Sequence, residues 1–246
     1  IDEISEDIEE KKTDAPSRMS IDRVFSLKGF GTIVTGTLIE GKISVDDEMT
    51  IYPSEKKVKV RNLQVHGCDV KTAYAGQRTA INLSNIKVSE IQRGDVIAQT
   101  GSVEESMMID VNISLVEHCK KSLKHWDRIR IFHGTKQILC RIVPLNEDEI
   151  QYGESGYAQL RLEEKIVAKK GDRFIIRSYS PMDTIGGGVI IDTAPKKHKI
   201  YDESVIEALK IKEKGELKDI LEEYLKLNLS NYITLKELVS YTGEKE

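Results

Sequence analysis

A chain of 246 residues, 32% charged and 6% aromatic with a formal net charge of −4, has room for one large domain or two to three small ones. No apolar run approaches a membrane span and no signal peptide is visible, so no transmembrane helix and no membrane partner are expected. The three cysteines, Cys68, Cys119 and Cys140, are far apart, with no CxxC and no His/Cys cluster at metal spacing, which argues against a disulfide-stapled or zinc-binding fold and fits a reducing cytoplasm.

The acidity is concentrated at the start. Residues 1–14 carry seven acidic side chains against Lys11 and Lys12, and the rest of the chain is close to neutral. Residues 1–17 therefore read as a polar linker. With Ile rather than Met at position 1, the chain is expected to be an excised fragment. From Met19 the texture changes to short β-type runs punctuated by Gly, Pro and Asp-Asp. These are 19–26, 32–39, 49–53, 58–67, 78–83 and 96–100, a spacing that predicts a closed or nearly closed barrel. A second set at 107–116, 128–134, 137–145, 157–162, 173–180 and 186–192 predicts another barrel, with the junction near Gly101. After Pro195 the period becomes helical: Val205, Ile206 and Leu209, then Leu217, Ile220, Leu221, Tyr224 and Leu225, with Gly215 as the break. Thr234 and Glu237 have the form of a capping box opening a further helix.

One stretch, 29-GFGTIVTGTL-38, has the outline of a phosphate loop, since Gly31 and Gly36 bracket four residues. The next two positions are Thr37 and Leu38 instead of Lys and Ser/Thr, so neither a phosphate-binding charge nor a Mg²⁺ ligand is present. The β-branched residues between the glycines favour extended backbone, and the better reading is a strand entered through a tight turn at 28-KGFG-31. Hydrolase, zinc-protease, EF-hand and N-K-x-D signatures are missing, so a self-contained enzyme is not expected. Basic runs at 55–61, 119–128 and 195–199 are compatible with solvated faces or with a phosphate-bearing partner.

Charges inside apolar strands are more informative. Asp22 and Arg23 interrupt the first strand, and Arg78 opens another after 75-AGQ-77. They could form salt bridges at a barrel edge or a polar site on its surface. Neighbours in a regular strand point to opposite faces, so Asp22 and Arg23 can share a site only near a bulge, at a strand end, or with the arginine curling round.

These residues carry a family likeness. The stretches 21-IDRVFSLKGFGTIVTGTLIEGKI-43, 58-VKVRNLQVHG-67, 74-YAGQRTAINL-83 and 93-RGDVIA-98 resemble the second domain of translational GTPases. The stretches 132-FHGT-135, 160-LRLEEKIVAKKGDRFIIRSYSP-181 and 184-TIGGGVIID-192 resemble the third domain of selenocysteine-specific elongation factors in particular. The resemblance covers about residues 18–194. It implies a mainly β fold: a linker over 1–17 from a GTP-binding domain, elongation-factor-type barrels over 18–102 and 103–194, and an incomplete winged-helix segment over 195–246. It further implies the tRNA-binding arm of a factor that delivers selenocysteinyl-tRNA to the ribosome, in the cytoplasm. GTP and Mg²⁺ would belong to the missing domain, with no cofactor in this chain. A messenger RNA hairpin would be bound by winged-helix domains beyond it. By motif match, Asp22, Arg23 and Arg78 would hold the selenocysteinyl moiety. The alternatives are the same arm from a general elongation or initiation factor, and a GTPase-linked metabolic enzyme subunit with similar barrels.

Overall fold

The computed structural model describes residues 13–215 and the isolated positions 218, 221, 222, 224, 225 and 234. The acidic residues 1–12 and the capping box at Thr234–Glu237 with the helix it would open lie outside the described residues, apart from Thr234 itself. Contacts divide the chain into two units, residues 13–104 with Gly134–Lys136, and residues 105–133 with the described part of 137–246.

The first unit is a barrel of antiparallel strands. Its long members are β1 (Arg18–Leu27), β2 (Gly31–Glu40), β4 (Glu48–Tyr52), β5 (Lys56–Val65), β8 (Arg78–Ser84) and β9 (Val96–Gln99). Short strands β3 (Lys42–Ser44), β6 (Cys68–Val70) and β7 (Thr72–Tyr74) decorate it. The order β4-β9-β1-β2-β8-β5-β6, with β4 also paired to β5, closes six strands into a ring. Alternation explains the closure. On β8, Thr79, Ile81 and Leu83 point inward while Arg78, Ala80 and Asn82 lie toward solvent. Met19, Ile21, Val34, Leu38, Val60, Leu63 and Ile97 complete that interior from the other strands.

The 28-KGFG-31 turn is as expected. Leu27 pairs with Gly31, Phe30 N–H donates to the Leu27 carbonyl at 3.0 Å, and Gly29 and Gly31 take left-handed φ of 88° and 87°. Gly36 is not part of a phosphate loop. It lies mid-strand, where a Cβ would sit 2.2 Å from the Ser20 carbonyl oxygen.

The second unit is another closed barrel, ordered β10-β15-β13-β12-β16-β17. Its strands are β10 (Glu105–Leu115), β12 (Arg128–His133), β13 (Lys136–Pro144), β15 (Ser155–Val167), β16 (Arg173–Ser178) and β17 (Thr184–Asp192), beside a small pair β11 (Leu123–Lys124) and β14 (Glu149–Ile150). Isoleucines dominate the interior, among them Ile109, Ile113, Ile129, Ile131, Ile142 and Ile176. Cys140 is buried with them, and burial, helped by the Glu163 charge, pushes its thiol up to about 12; it behaves as a small apolar residue.

Helix α1 (Glu203–Lys214) begins at an Asp202 cap, whose side chain accepts from the Ser204 amide, and ends at Gly215. Its apolar stripe, Val205, Ile206 and Leu209, packs on Val143, Leu145, Ile191 and Tyr157 of the second barrel. Glu213 adds a polar clasp, accepting from Asn112 Nδ2 at 2.7 Å and Tyr157 OH at 2.6 Å.

Candidate functional site

The site begins with an irregularity in β1. Ile21 pairs with Gly36, but the next registered pair is Arg23 with Thr35, so Asp22 is an extra residue in a β-bulge. The bulge resets the alternation. Ile21 stays buried, Asp22 and Arg23 both lie toward solvent, and Val24 packs back against the core. Two successive charges thus share the outer face, which a regular strand forbids. Glycine at position 36 lets β2 pass close to the backbone just before the bulge.

Arg78, the first residue of β8, reaches Asp22 with both ends of its guanidinium: Nη1 donates to Oδ2 at 2.6 Å and Nη2 to Oδ1 at 3.2 Å. Thr35 Oγ1 donates to Asp22 Oδ1 at 2.7 Å. Partial burial alone would raise the Asp22 carboxyl. The hydrogen bonds from Arg78 and Thr35, with the charges of Arg78 and Arg23, outweigh it and hold the group below 3.8. Arg23 is exposed and hydrogen-bonds no described residue; its cation is available to a ligand. Of the three expected residues, Asp22 and Arg78 are joined directly, and Arg23 acts on them only through its charge.

The pair has a definite pH signature. Because the folded value of Asp22 is lowered, its stabilising contribution is complete above the ordinary carboxylate range and is lost as pH falls through the lower folded value. With the Arg78 side chain 54% exposed, that contribution is expected to be about 1 kcal/mol or less. Carbon-13 NMR of the Asp22 carboxyl is expected to report a midpoint below 3.8 in the wild type, and a higher one in Arg78→Ala. Identical midpoints in the two proteins would show that the guanidinium does not stabilise the carboxylate.

Beside Arg78 the surface sinks into an open cleft of about 240 Å³ that spans β2, β8 and β5, lined by Thr35, by Arg78, Thr79 and Ala80, and by Gln64, His66 and Gly67. Sequence reasoning passed over Thr35, Gln64 and His66 as site residues. Thr35 could have been found by counting outward from the 28-KGFG-31 turn, which sets it opposite Arg23. Among the described residues no group of three or more His, Cys, Asp or Glu could hold a metal ion, and no helix is long and apolar enough to cross a membrane.

Two closed six-stranded barrels in tandem, with a charged site on the outer wall of the first, define a double-β-barrel protein with a candidate binding face. Residues 31–98 match the family model for elongation factor Tu domain 2, and residues 110–197 match that for the β-barrel domain of selenocysteine-specific elongation factor. The chain belongs to the selenocysteine-specific elongation factors, within the Tu-like family. It is 39% identical over 180 residues to the selenocysteine-specific elongation factor of Desulfomicrobium baculatum, covering 73% of this chain and 28% of that protein. With the factor of the same name from Methanocaldococcus jannaschii it shares 30% identity over 222 residues, covering 76% of this chain and 47% of the relative. The chain thus spans less than half the length of either. In fold it is similar to the crystal structure of a bacterial selenocysteine-specific elongation factor, EF-Sec, with a TM-score of 0.75 at 24% identity over 90% of this chain and 35% of that one.

Proposed function

We propose that this chain is the tRNA-binding arm of a selenocysteine-specific elongation factor, and that Asp22, Arg23 and Arg78 hold the selenocysteinyl moiety of the tRNA it delivers to the ribosome. The observation that carries the reading is the bulge-built pair, Asp22 clasped by Arg78 with Arg23 beside it on one outer face. A selenol is largely ionised at neutral pH, whereas a serine hydroxyl is not. Guanidinium groups favour the anion, Asp22 can accept from the α-amino group, and a neutral analogue leaves those charges unmatched.

Phosphate binding has support on the second barrel. Its outer face carries Arg128 and Arg130 on β12, Arg141 on β13, Arg161 on β15 and Arg173 and Arg177 on β16, four contiguous strands. Arg130 is registered directly opposite Arg177, and Arg141 opposite Arg161, like-charge pairings that cost stability in an isolated sheet. Tyr179 lies against Arg128 and Arg130, and Phe132 against Arg177. Glu163 already answers Arg128, its Oε2 2.6 Å from Nη2, while the other arginines of this face, interleaved with aromatic rings, suit an RNA backbone that supplies further anions. GTP hydrolysis would belong to a preceding domain, and messenger hairpin recognition to winged-helix domains that follow. This work at the ribosome puts the protein in the cytoplasm.

The test joins this chain to a GTP-binding domain and compares its affinity for selenocysteinyl-tRNA and seryl-tRNA. The wild type is expected to prefer the selenocysteinyl form, and Arg78→Ala to lower that preference about 10- to 100-fold, the range for charge-assisted hydrogen bonds. Equal affinity for the two tRNAs, or a preference indifferent to Arg78→Ala, sinks the assignment.

A further inference from the structure

One turn recurs through both barrels, at 44-SVDD-47, 74-YAGQ-77, 92-QRGD-95, 124-KHWD-127, 151-QYGE-154 and 169-KKGD-172. In each, the fourth amide donates to the first carbonyl at 3.1 to 3.2 Å, and the third amide donates to a carbonyl of another strand. The third residue takes left-handed φ, between 71° and 96°. Glycine, which meets no steric cost there, fills that place at positions 76, 94, 153 and 171, and Asp46, a residue type that tolerates such backbone, fills it once. In 124-KHWD-127 the place belongs to Trp126, with φ of 71°. A side chain of that bulk is strained in this conformation, so the local fold alone would select glycine.

Packing does not repay that choice. Trp126 is 52% exposed and takes no part in the barrel interior. Its ring stacks instead on the exposed His125, with centroids 5.8 Å apart and planes 28° from parallel, so the β11–β12 turn presents an aromatic face to solvent. The turn itself is held by backbone and by Asp127, whose Oδ2 accepts from the Lys124 amide at 2.9 Å. Cations border the stack. Arg141 Nη1 donates to the Trp126 carbonyl at 3.0 Å, and Arg141 is registered opposite Arg161, which ties the turn to the arginine face. Glu149 and Glu163 answer Lys124 and Arg128. Further in, Arg130, Arg161 and Arg177 each keep a buried Nε with no hydrogen-bond partner.

We infer that the His125–Trp126 stack is a platform for an unpaired RNA base, set at the border of the arginine face so that phosphates flanking the base meet guanidinium groups. A base supplies the flat partner that the indole ring lacks, and its strand brings the anions. Bases inside a duplex are stacked on one another and offer no free face, so the occupant is single-stranded, bulged or terminal. A residue strained in its turn and idle in the core is of the kind kept for contact with a ligand. This rests on the RNA-binding role proposed above for the second barrel and adds to it a preference for an unpaired nucleotide.

Trp126 is the only tryptophan in the chain, so its fluorescence reports on the platform directly. The probes are single-stranded oligouridylate and a blunt RNA duplex of the same length, each titrated into this chain at low salt. Oligouridylate is expected to quench the fluorescence. Trp126→Gly is expected to lower oligouridylate affinity about 10-fold, the worth of one stacked base, and duplex affinity by less than about twofold. Glycine is what this turn uses elsewhere, so the variant should fold with a urea midpoint no lower than that of the wild type. A lower midpoint would mean that the ring serves the fold, and the platform falls. It falls too if oligouridylate binds without quenching, or if both RNAs lose affinity equally, and the arginine face then still stands. Failure of both RNAs to bind, or indifference of both to Arg130→Ala, would mean that the RNA-binding reading itself has failed and the platform with it.

Discussion

Alanine at Gly36 is expected to cost the first barrel about 3 kcal/mol and to loosen the Asp22–Arg78 pair with it. The added Cβ would lie 2.2 Å from the Ser20 carbonyl oxygen and 3.0 Å from Met19 Cγ. The side chain could turn aside, but the carbonyl is part of the β1 backbone and cannot move without shifting the strand. Ser20 is two residues before the bulge, so relief of the clash displaces the segment that presents Asp22. Two readouts separate the consequences. Urea melts should show the lost stability. The Asp22 carboxyl, held below 3.8 in the wild type, should titrate closer to its ordinary value in the variant. Unchanged stability with an unchanged midpoint would mean that β2 can back away from β1 without disturbing the site.

This glycine shows where sequence reading stops. The pattern 29-GFGTIVTGTL-38 was legible as a strand after a tight turn, because β-branched residues and the missing lysine both argue against a phosphate nest. The reason for Gly36 itself was not legible, since close approach of two backbones leaves no mark on the periodicity of either strand. The twelve long strands were readable from alternation, whereas the short β3, β6, β7, β11 and β14 offer too few residues for a period to emerge. The same limit governed the site. Charges inside apolar strands drew attention to Asp22, Arg23 and Arg78, and strand geometry left a bulge, a strand end or a curled arginine as the ways to bring the first two together; the register selects the bulge. Where the surface beside Arg78 would open could not follow, because the cleft lies over Ala80 between Thr35 and Gln64. That juxtaposition exists only after β2, β8 and β5 are in register.

The second large effect is expected at Asp110, and its sign depends on the replacement. Asp110 is 1% exposed on β10; it accepts from Gln159 Nε2 at 2.8 Å and pairs with His198 Nε2 at 2.6 Å. Gln159 Nε2 also donates to the Lys196 carbonyl at 2.9 Å, and Lys212 pairs with the nearby Asp192. The cluster fastens the segment that leads into α1 onto the barrel. Asp110→Ala strips the acceptor, takes one of two hydrogen bonds from buried Gln159 Nε2 and leaves the partly exposed His198 ring without its carboxylate, at a cost of about 2 kcal/mol. Asp110→Asn should behave differently. Burial, first, and then the Asp192 charge raise the Asp110 carboxyl above 3.8, although the bonds from His198 and Gln159 pull the other way. A raised folded value means that the native state holds this proton more tightly than the unfolded chain. Ionisation therefore costs stability, and the cost grows as pH rises through the folded value. An asparagine of the same shape can accept from Gln159 and hydrogen-bond the His198 ring without that charge. Its stability at pH 7 is expected to equal or slightly exceed that of the wild type, within about 1 kcal/mol. Urea melts from pH 4 to pH 8 should then show the asparagine variant gaining on the wild type as pH rises. If the wild type gains instead, the carboxylate–His198 contact outweighs its desolvation, and the ion pair is a net stabiliser of the α1 connection.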